Sequence, residues 1–236
     1  MEGLILAGGK AERLGDAAGG RPKPLVLVAG RPLASYQVAR LVEAGVQRVI
    51  VSCTAGQEQR FESELSGLGA EIVAIGEPEP LGRGGGLRLG ASQRQLAGPV
   101  FAVNGDELLG VDLRDLHERH RAHGGAATIV VSQVRSAFGV VDIREDDSVA
   151  GFREAPLLPE WVNSGVYVLG DEAIERLPER GDHEDSTFPE LAREGKLFAY
   201  RNTSYWLTVN TPKQLRVASE FMEKHPELAP RAPEPA

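Results

Sequence analysis

Cysteine is almost absent from this chain. Cys53 stands alone among 236 residues, so no internal disulfide can form and a reducing compartment is expected. It closes the apolar run Val49-Ile50-Val51-Ser52, the setting of a buried structural thiol rather than a nucleophile. No apolar run approaches the roughly 18 residues a membrane span requires, and no signal-peptide pattern opens the chain. A cytoplasmic protein with no membrane partner is the expectation. A basic excess is also lacking: the formal net charge of −8 speaks against a nucleic-acid partner. Lysine is scarce, with 5 against 21 arginines, a bias that says nothing secure about function. With 42% hydrophobic and 25% charged residues, the chain is composed like an ordinary globular protein, long enough to bury an ample core.

Familiar catalytic patterns are missing too. Gly8-Gly9-Lys10-Ala11-Glu12-Arg13 is not Gly-x-Gly-x-x-Gly, and no Gly-Lys-Ser/Thr follows, which sets aside a dinucleotide fingerprint and a P-loop. No Ser–His–Asp, Cys–His or paired-carboxylate arrangement stands out. His117, His120 and His123 recur every third residue on a polar helix. Their arginine neighbours favour a solvated helix end over a zinc site. Trp161 and Trp206 read as core or sugar-wall residues.

Strand-like and helix-like segments alternate through the first half. Strands are expected at 3–7, 47–53, 70–75 and 99–103, with helices at 34–45, 57–66 and 84–96. This rhythm predicts an α/β protein with a doubly wound, mainly parallel sheet whose ligands sit beyond the strand carboxyl ends. Residues 126–134, 138–143, 148–153 and 161–169 read as antiparallel additions to the same sheet, and helices return at 172–177, 187–194 and 211–224. One domain over 1–224 is expected, followed by a mobile proline-rich tail over 225–236.

The chemistry is concentrated at strand ends. Leu4-Ile5-Leu6-Ala7 runs into Gly8-Gly9, and Arg13 and Lys23 follow ten residues apart. Glycines there allow a backbone to approach a ligand closely, their N–H groups can face an anion, and the two cations can neutralise it. A nucleoside triphosphate is the expected ligand. Glu77 precedes a run with glycine at 82, 84, 85 and 86, where a base could lie. A carboxylate only accepts hydrogen bonds, so an exposed Glu77 would suit guanine, whose N1–H and N2–H₂ donate. Asn104-Gly105-Asp106 ends the strand over 99–103, a position from which a carboxylate can hold Mg²⁺ against phosphates. Asn210 precedes Thr211-Pro212, a helix cap, and could offer the same metal a carbonyl oxygen.

In this order the segments resemble the sugar-1-phosphate nucleotidylyltransferases. Leu-Ala-Gly-Gly…Arg-Leu…Pro-Lys-Pro-Leu lies at 6–25, Pro-Leu-Gly…Gly-Gly-Leu at 80–87 and Asn-Gly-Asp at 104–106. Phe138-Gly139-Val140-Val141, Glu154, Asn163-Ser164-Gly165-Val166-Tyr167 and Phe188-Pro189-Glu190-Leu191 follow. The resemblance runs from Met1 to about Lys224. It implies a Rossmann-like three-layer nucleotidyltransferase fold with a mixed, mostly parallel sheet. The implied reaction joins an NTP and a sugar 1-phosphate, giving an NDP-sugar and pyrophosphate. Such a reaction needs no general base: the attacking phosphate is already an anion, and what counts is in-line placement and charge neutralisation at the α-phosphorus.

By this resemblance Arg13 and Lys23 are the catalytic cations. Leu6, Ala7, Gly8, Gly9, Glu77, Gly82 and Gly105 hold the nucleotide, Asp106 and Asn210 hold Mg²⁺, and Gly139, Glu154 and Asn163 hold the sugar phosphate. GTP is favoured through Glu77, with dTTP and UTP open, and homo-oligomerisation is left open. Three departures stand out: Ala11-Glu12 for the usual Gly-Thr, Ala155 for a lysine, and Thr208 for an aspartate. They leave two alternatives in play, a nucleotide-binding regulatory module without turnover and a molybdenum-cofactor-type nucleotidyltransferase, which also carries Asn-Thr-Pro.

Overall fold

A computed structural model describes residues 1–9 and 11–230. The first half runs β1 (Gly3–Ala7), β2 (Leu27–Val28), β3 (Arg31–Pro32), α1 (Leu33–Glu43), β4 (Arg48–Thr54), α2 (Glu58–Glu64), β5 (Glu71–Glu77), α3 (Gly82–Ala91), β6 (Val100–Asn104), β7 (Glu107–Leu109) and α4 (Leu113–His123). The second half adds β8 (Ala127–Arg135), β9 (Val140–Ile143), β10 (Val149–Arg153), β11 (Leu157–Leu169), α5 (Asp171–Glu175), α6 (Thr187–Arg193), β12 (Leu197–Arg201), β13 (Trp206–Thr208) and α7 (Pro212–Lys224).

Seven strands form the main sheet in the order β12-β8-β11-β6-β1-β4-β5. β6, β1, β4 and β5 are mutually parallel, and β12 is parallel to β8. Only β11 runs against its neighbours β6 and β8. The alternation of side chains along each strand builds three layers. Ile5, Val49, Val51, Phe101 and Val103 face α1, α2 and α4 through Val38, Leu41, Phe61 and Leu116. Leu4, Ile50, Val100 and Ala102 face the other way, onto Leu87 of α3, Ile174 of α5 and Leu191 of α6. Side chains of this type contribute about 1.5–3 kcal/mol each on full burial. The run Val49–Val51 is buried on both faces, as central parallel strands require.

Local signals explain several boundaries. Asp112 caps α4 by accepting from the Arg114 and Asp115 N–H groups, and Gly124 ends that helix at φ +65°. Thr211 caps α7 with Pro212 at its first position. Cys53 is fully buried, and burial pushes its thiol up to about 12.

Other expectations need correction. β9 and β10 do not join the main sheet; they pair only with each other, as an antiparallel hairpin. Its apolar residues remain uncovered, with Phe138 78% and Phe152 64% exposed. The main sheet instead gains β12, and β7 pairs with β13 in a small sheet beside it. The histidine helix end is not simply solvated. His120 is buried with its Nδ1 2.9 Å from the Thr128 hydroxyl, and His123 Nε2 lies 2.8 Å from the same oxygen and stacks on Phe198. The expected mobile tail begins in ordered structure: Pro226–Leu228 form a 3₁₀ turn, and Leu228 and Ala229 pack against the cluster containing Met222. Residues 231–236 lie outside the described residues. Among the described residues no helix is long and apolar enough to cross a membrane.

Candidate active site

The carboxyl ends of β1, β5 and β6 open onto a cleft of about 470 Å³, where open α/β sheets bind ligands. Leu6, Gly8, Gly9, Arg13, Lys23, Glu77, Gly82, Gly105 and Asp106 all line it. Nine of the expected site residues thus converge from segments scattered over the first 106 positions.

Close backbone approach, not loop flexibility, explains the glycines. A Cβ on Gly105 would stand 2.2 Å from the Leu6 carbonyl oxygen, and one on Gly8 2.7 Å from Glu77 Oε1. The run 84–86 was expected to open space for a base. It lies instead inside α3, where added Cβ atoms would meet Pro178, Gly181 and Glu179 on one side and Glu77 on the other. Gly82, Gly84 and Gly85 let the 178–182 segment dock on α3, while Gly86 admits Glu77. Gly181 O accepts from Gly84 N at 2.9 Å and Gly85 N at 3.2 Å, and Asp182 Oδ1 accepts from Arg83 N at 2.8 Å. Three of the N-terminal donors of α3 are thereby satisfied by the protein itself.

Lys23, in the 3₁₀ turn Lys23–Leu25, is nearly buried and donates to Asp106 Oδ2 and Asn210 Oδ1, both at 2.6 Å. Arg13 Nη2 donates to the same Asn210 oxygen at 3.0 Å. Asn210 itself is positioned by its backbone N–H donating to Gln214 Oε1 in α7. The two candidate metal ligands therefore already converge on one cation. Their hard oxygens fit Mg²⁺, which takes few protein ligands and completes its shell with water and phosphate.

Several expected residues stand elsewhere. Ala7 is buried in the core under the cleft. Glu77 is not an exposed base reader: it is 8% exposed, with Oε1 accepting from Ser52 Oγ and Oε2 from Leu81 N, both at 3.2 Å. Gly139 and Glu154 lie together on the β9–β10 hairpin, where a Cβ on Gly139 would be 3.1 Å from Glu154 Oε2. Neither is among the residues lining the cleft. Asn163 also lies off the cleft lining; it donates to the Tyr167 hydroxyl and accepts from Gly165 N, holding the Gly165 turn against Asn104. Ala155 sits at the hairpin's end in a left-handed conformation, φ +44°.

The cleft also contains residues to which the sequence reading gave no role: Pro24, Pro80 and Asn104, which stand inside quoted motifs, and Arg83, Glu107 and Asp182. Glu107 follows Asn104-Gly105-Asp106 directly, and extending that motif by one residue would have found it. Burial first, then the charge of Asp106, pushes its carboxyl up to about 8, while a hydrogen bond from Trp206 and the charge of Lys23 pull it back. Trp206 Nε1 donates to Glu107 Oε2 at 2.5 Å across the β7–β13 pair. A carboxyl so placed is largely neutral at pH 7 and spares the cleft a second negative charge beside Asp106. Arg83 was signalled by a lone charge among glycines, whereas Asp182 had no local signal.

A three-layer sheet with a glycine-walled cleft, two cations and two oxygen ligands at its strand ends defines a Rossmann-like nucleotidyltransferase fold. The nucleotidyl transferase family model matches residues 2–225, and the chain belongs to that family. It is 34% identical to the mannose-1-phosphate guanylyltransferase of Mycobacterium tuberculosis over 90% of this chain and 62% of the relative. Against the catalytic subunit beta of that enzyme from Drosophila pseudoobscura it is 34% identical over 89% of this chain and 59% of the relative. The chain thus spans about three fifths of the curated relatives' length. The crystal structure of HddC from Yersinia pseudotuberculosis superposes with a TM-score of 0.73 at 26% identity, covering 94% of this chain and 99% of that one. HddC complexed with GMP-PN gives 0.71 at 25% identity with the same coverage.

Proposed function

We propose that the protein transfers a nucleotidyl group from GTP to a sugar 1-phosphate of the mannose type, releasing pyrophosphate. One observation carries the reading: Lys23 Nζ stands 2.6 Å from both Asp106 and Asn210 at the mouth of the Gly8–Gly9 cleft, with Arg13 on the same asparagine. The names of the relatives and the GMP-PN complex of HddC support guanine as the base and mannose 1-phosphate as the acceptor. In this reading Gly8 and Gly9 admit the triphosphate to the backbone, and Gly105 keeps β6 against β1 so that Asp106 reaches the phosphates. Arg13 and Lys23 neutralise charge as the sugar-phosphate oxygen bonds to the α-phosphorus and pyrophosphate departs with the electron pair. Asp106 and Asn210 would hold Mg²⁺, which supplies further charge neutralisation at the phosphates. The sugar side is assigned to Gly139 and Glu154 of the β9–β10 hairpin and to Asn163 by the family resemblance, since none of the three lines the cleft. A cytoplasmic setting suits these substrates.

The test is pyrophosphate release from GTP with a panel of hexose 1-phosphates and Mg²⁺. Turnover with mannose 1-phosphate that falls at least 100-fold in Lys23→Ala and Asp106→Ala is expected. Nucleotide binding without turnover on any sugar phosphate would make the chain a regulatory module, and full activity in both variants would overturn the site.

A further inference from the structure

The charged residues of the cleft fall into two groups with different electrostatics. At one end Arg13 and Lys23 share a single carboxylate, Asp106, and the neutral Asn210. At the other, Arg83 is held by two carboxylates: its Nη2 donates to Asp182 Oδ2 at 2.9 Å, and its Nη1 lies 2.8 Å from Glu184 Oε1. The first group retains positive charge for an anion. In the second, two carboxylates surround one guanidinium, so no positive charge is left over and what remains is a set of directional hydrogen-bonding groups. A guanidinium has five N–H donors; the hydrogen bond to Asp182 occupies one of them, and Glu184 stands close by as an ion-pair partner.

The second group is open to a ligand as well. Side-chain exposure is 51% for Arg83 and 31% for Asp182, and both line the cleft. Glu77 beside them is buried with both oxygens engaged. Three of the first N–H groups of α3, those of Arg83, Gly84 and Gly85, are taken by Asp182 and Gly181, which leaves little of a backbone nest for phosphate at this end.

From this geometry we infer that Arg83 and Asp182 form the base-selecting pair of the cleft, and that the base they select is guanine. The inference rests on the nucleotide reading above. Arg83 offers donors and Asp182 offers acceptors side by side, because each carboxylate oxygen retains a lone-pair direction beyond its bond to Arg83. Guanine presents the matching order: O6 accepts, and N1–H and N2–H₂ donate. Adenine places an N6 donor against the guanidinium. Uracil and thymine match at O4 and N3–H but bring the O2 acceptor against the carboxylate. Hypoxanthine lacks only the 2-amino group, so it isolates the Asp182 contact. Asp182 is a specificity residue held in place by Arg83, whose other terminal nitrogen lies beside Glu184.

Equilibrium binding of GTP, ITP, ATP and UTP to the whole chain, without sugar phosphate, tests this directly. Wild type should prefer GTP to ATP by 100-fold or more and GTP to ITP by about tenfold, the scale expected when a hydrogen-bonding site meets the wrong edge. Arg83→Leu keeps the backbone bond to Asp182 and should cut the GTP:ATP ratio at least tenfold. Asp182→Asn should bring the GTP:ITP ratio close to one. A merely structural latch would weaken all four nucleotides equally. Unchanged ratios in variants whose circular dichroism shows them folded would therefore overturn the inference, as would a wild type that binds none of the four. Selection that holds while no sugar phosphate turns over would leave the inference standing and defeat the transfer reaction instead.

Discussion

Replacing Glu107 with glutamine should change how the protein's stability depends on pH. In the folded chain the Glu107 carboxyl is pushed up from 4.5 to about 8, chiefly by burial. Between those two values the folded protein keeps a proton that the unfolded chain has released. Stability therefore falls as pH rises from about 4.5 towards about 8 and is level above it. Full linkage would be about 1.4 kcal/mol for each pH unit in that window. Glu107 lines a cleft open to water, so we take roughly half of the total, ~2 kcal/mol between pH 5.5 and 8.5. Glutamine preserves an acceptor for Trp206 Nε1 and removes the titration. Urea unfolding followed by circular dichroism, with EDTA present, should show wild type losing ~2 kcal/mol more than Glu107→Gln across that range. Parallel pH profiles for the two proteins would refute the assignment of a neutral, desolvated Glu107. The same reasoning reaches function: above pH 8 wild type gains a charge beside the phosphate cleft, so the variant should bind GTP more tightly there.

Three further outcomes follow from the geometry. Gly105→Ala would drive a Cβ to 2.2 Å from the Leu6 carbonyl and 2.6 Å from Pro24. Neither neighbour is a flexible side-chain end, so a loss of roughly 2–4 kcal/mol is expected, and an unchanged urea midpoint would contradict the close β1–β6 approach. Ala155→Gly relieves a left-handed alanine and should stabilise by about 0.5–1 kcal/mol; a lower melting temperature would show that the strain is absent. Asn210→Ala removes the oxygen shared by Arg13 and Lys23 and should raise the Mg²⁺ concentration for half-maximal pyrophosphate release at least tenfold. The same metal dependence in both proteins would remove Asn210 from the metal site.

Much of the fold was legible because it is written locally. Leu4-Ile5-Leu6-Ala7 and Val49-Ile50-Val51 are continuous apolar runs, and only strands buried on both faces use such runs. Thr211-Pro212 announces a helix through the chemistry of its first turn. The β9–β10 hairpin misled because alternation identifies a strand without naming its partner: pairing is a choice among distant edges that no local period encodes. The glycines of α3 misled for a related reason. Their number showed that something must come close, but not that it would be the protein's own 178–182 segment.

The site divides along the same line. Gly8, Gly9, Lys23 and Asp106 could be placed at or just after strand ends from the sequence, and the structure brings all four to one cleft. The partnerships that set their chemistry span the molecule: Lys23 with Asn210, Glu107 with Trp206, Arg83 with Asp182. These contacts depend on where the strands cross and on which groups lose their water when they do. Residue order points to a cleft at the strand ends; the packing of remote segments sets which of its carboxyls lose their water and which partners hold each of its cations.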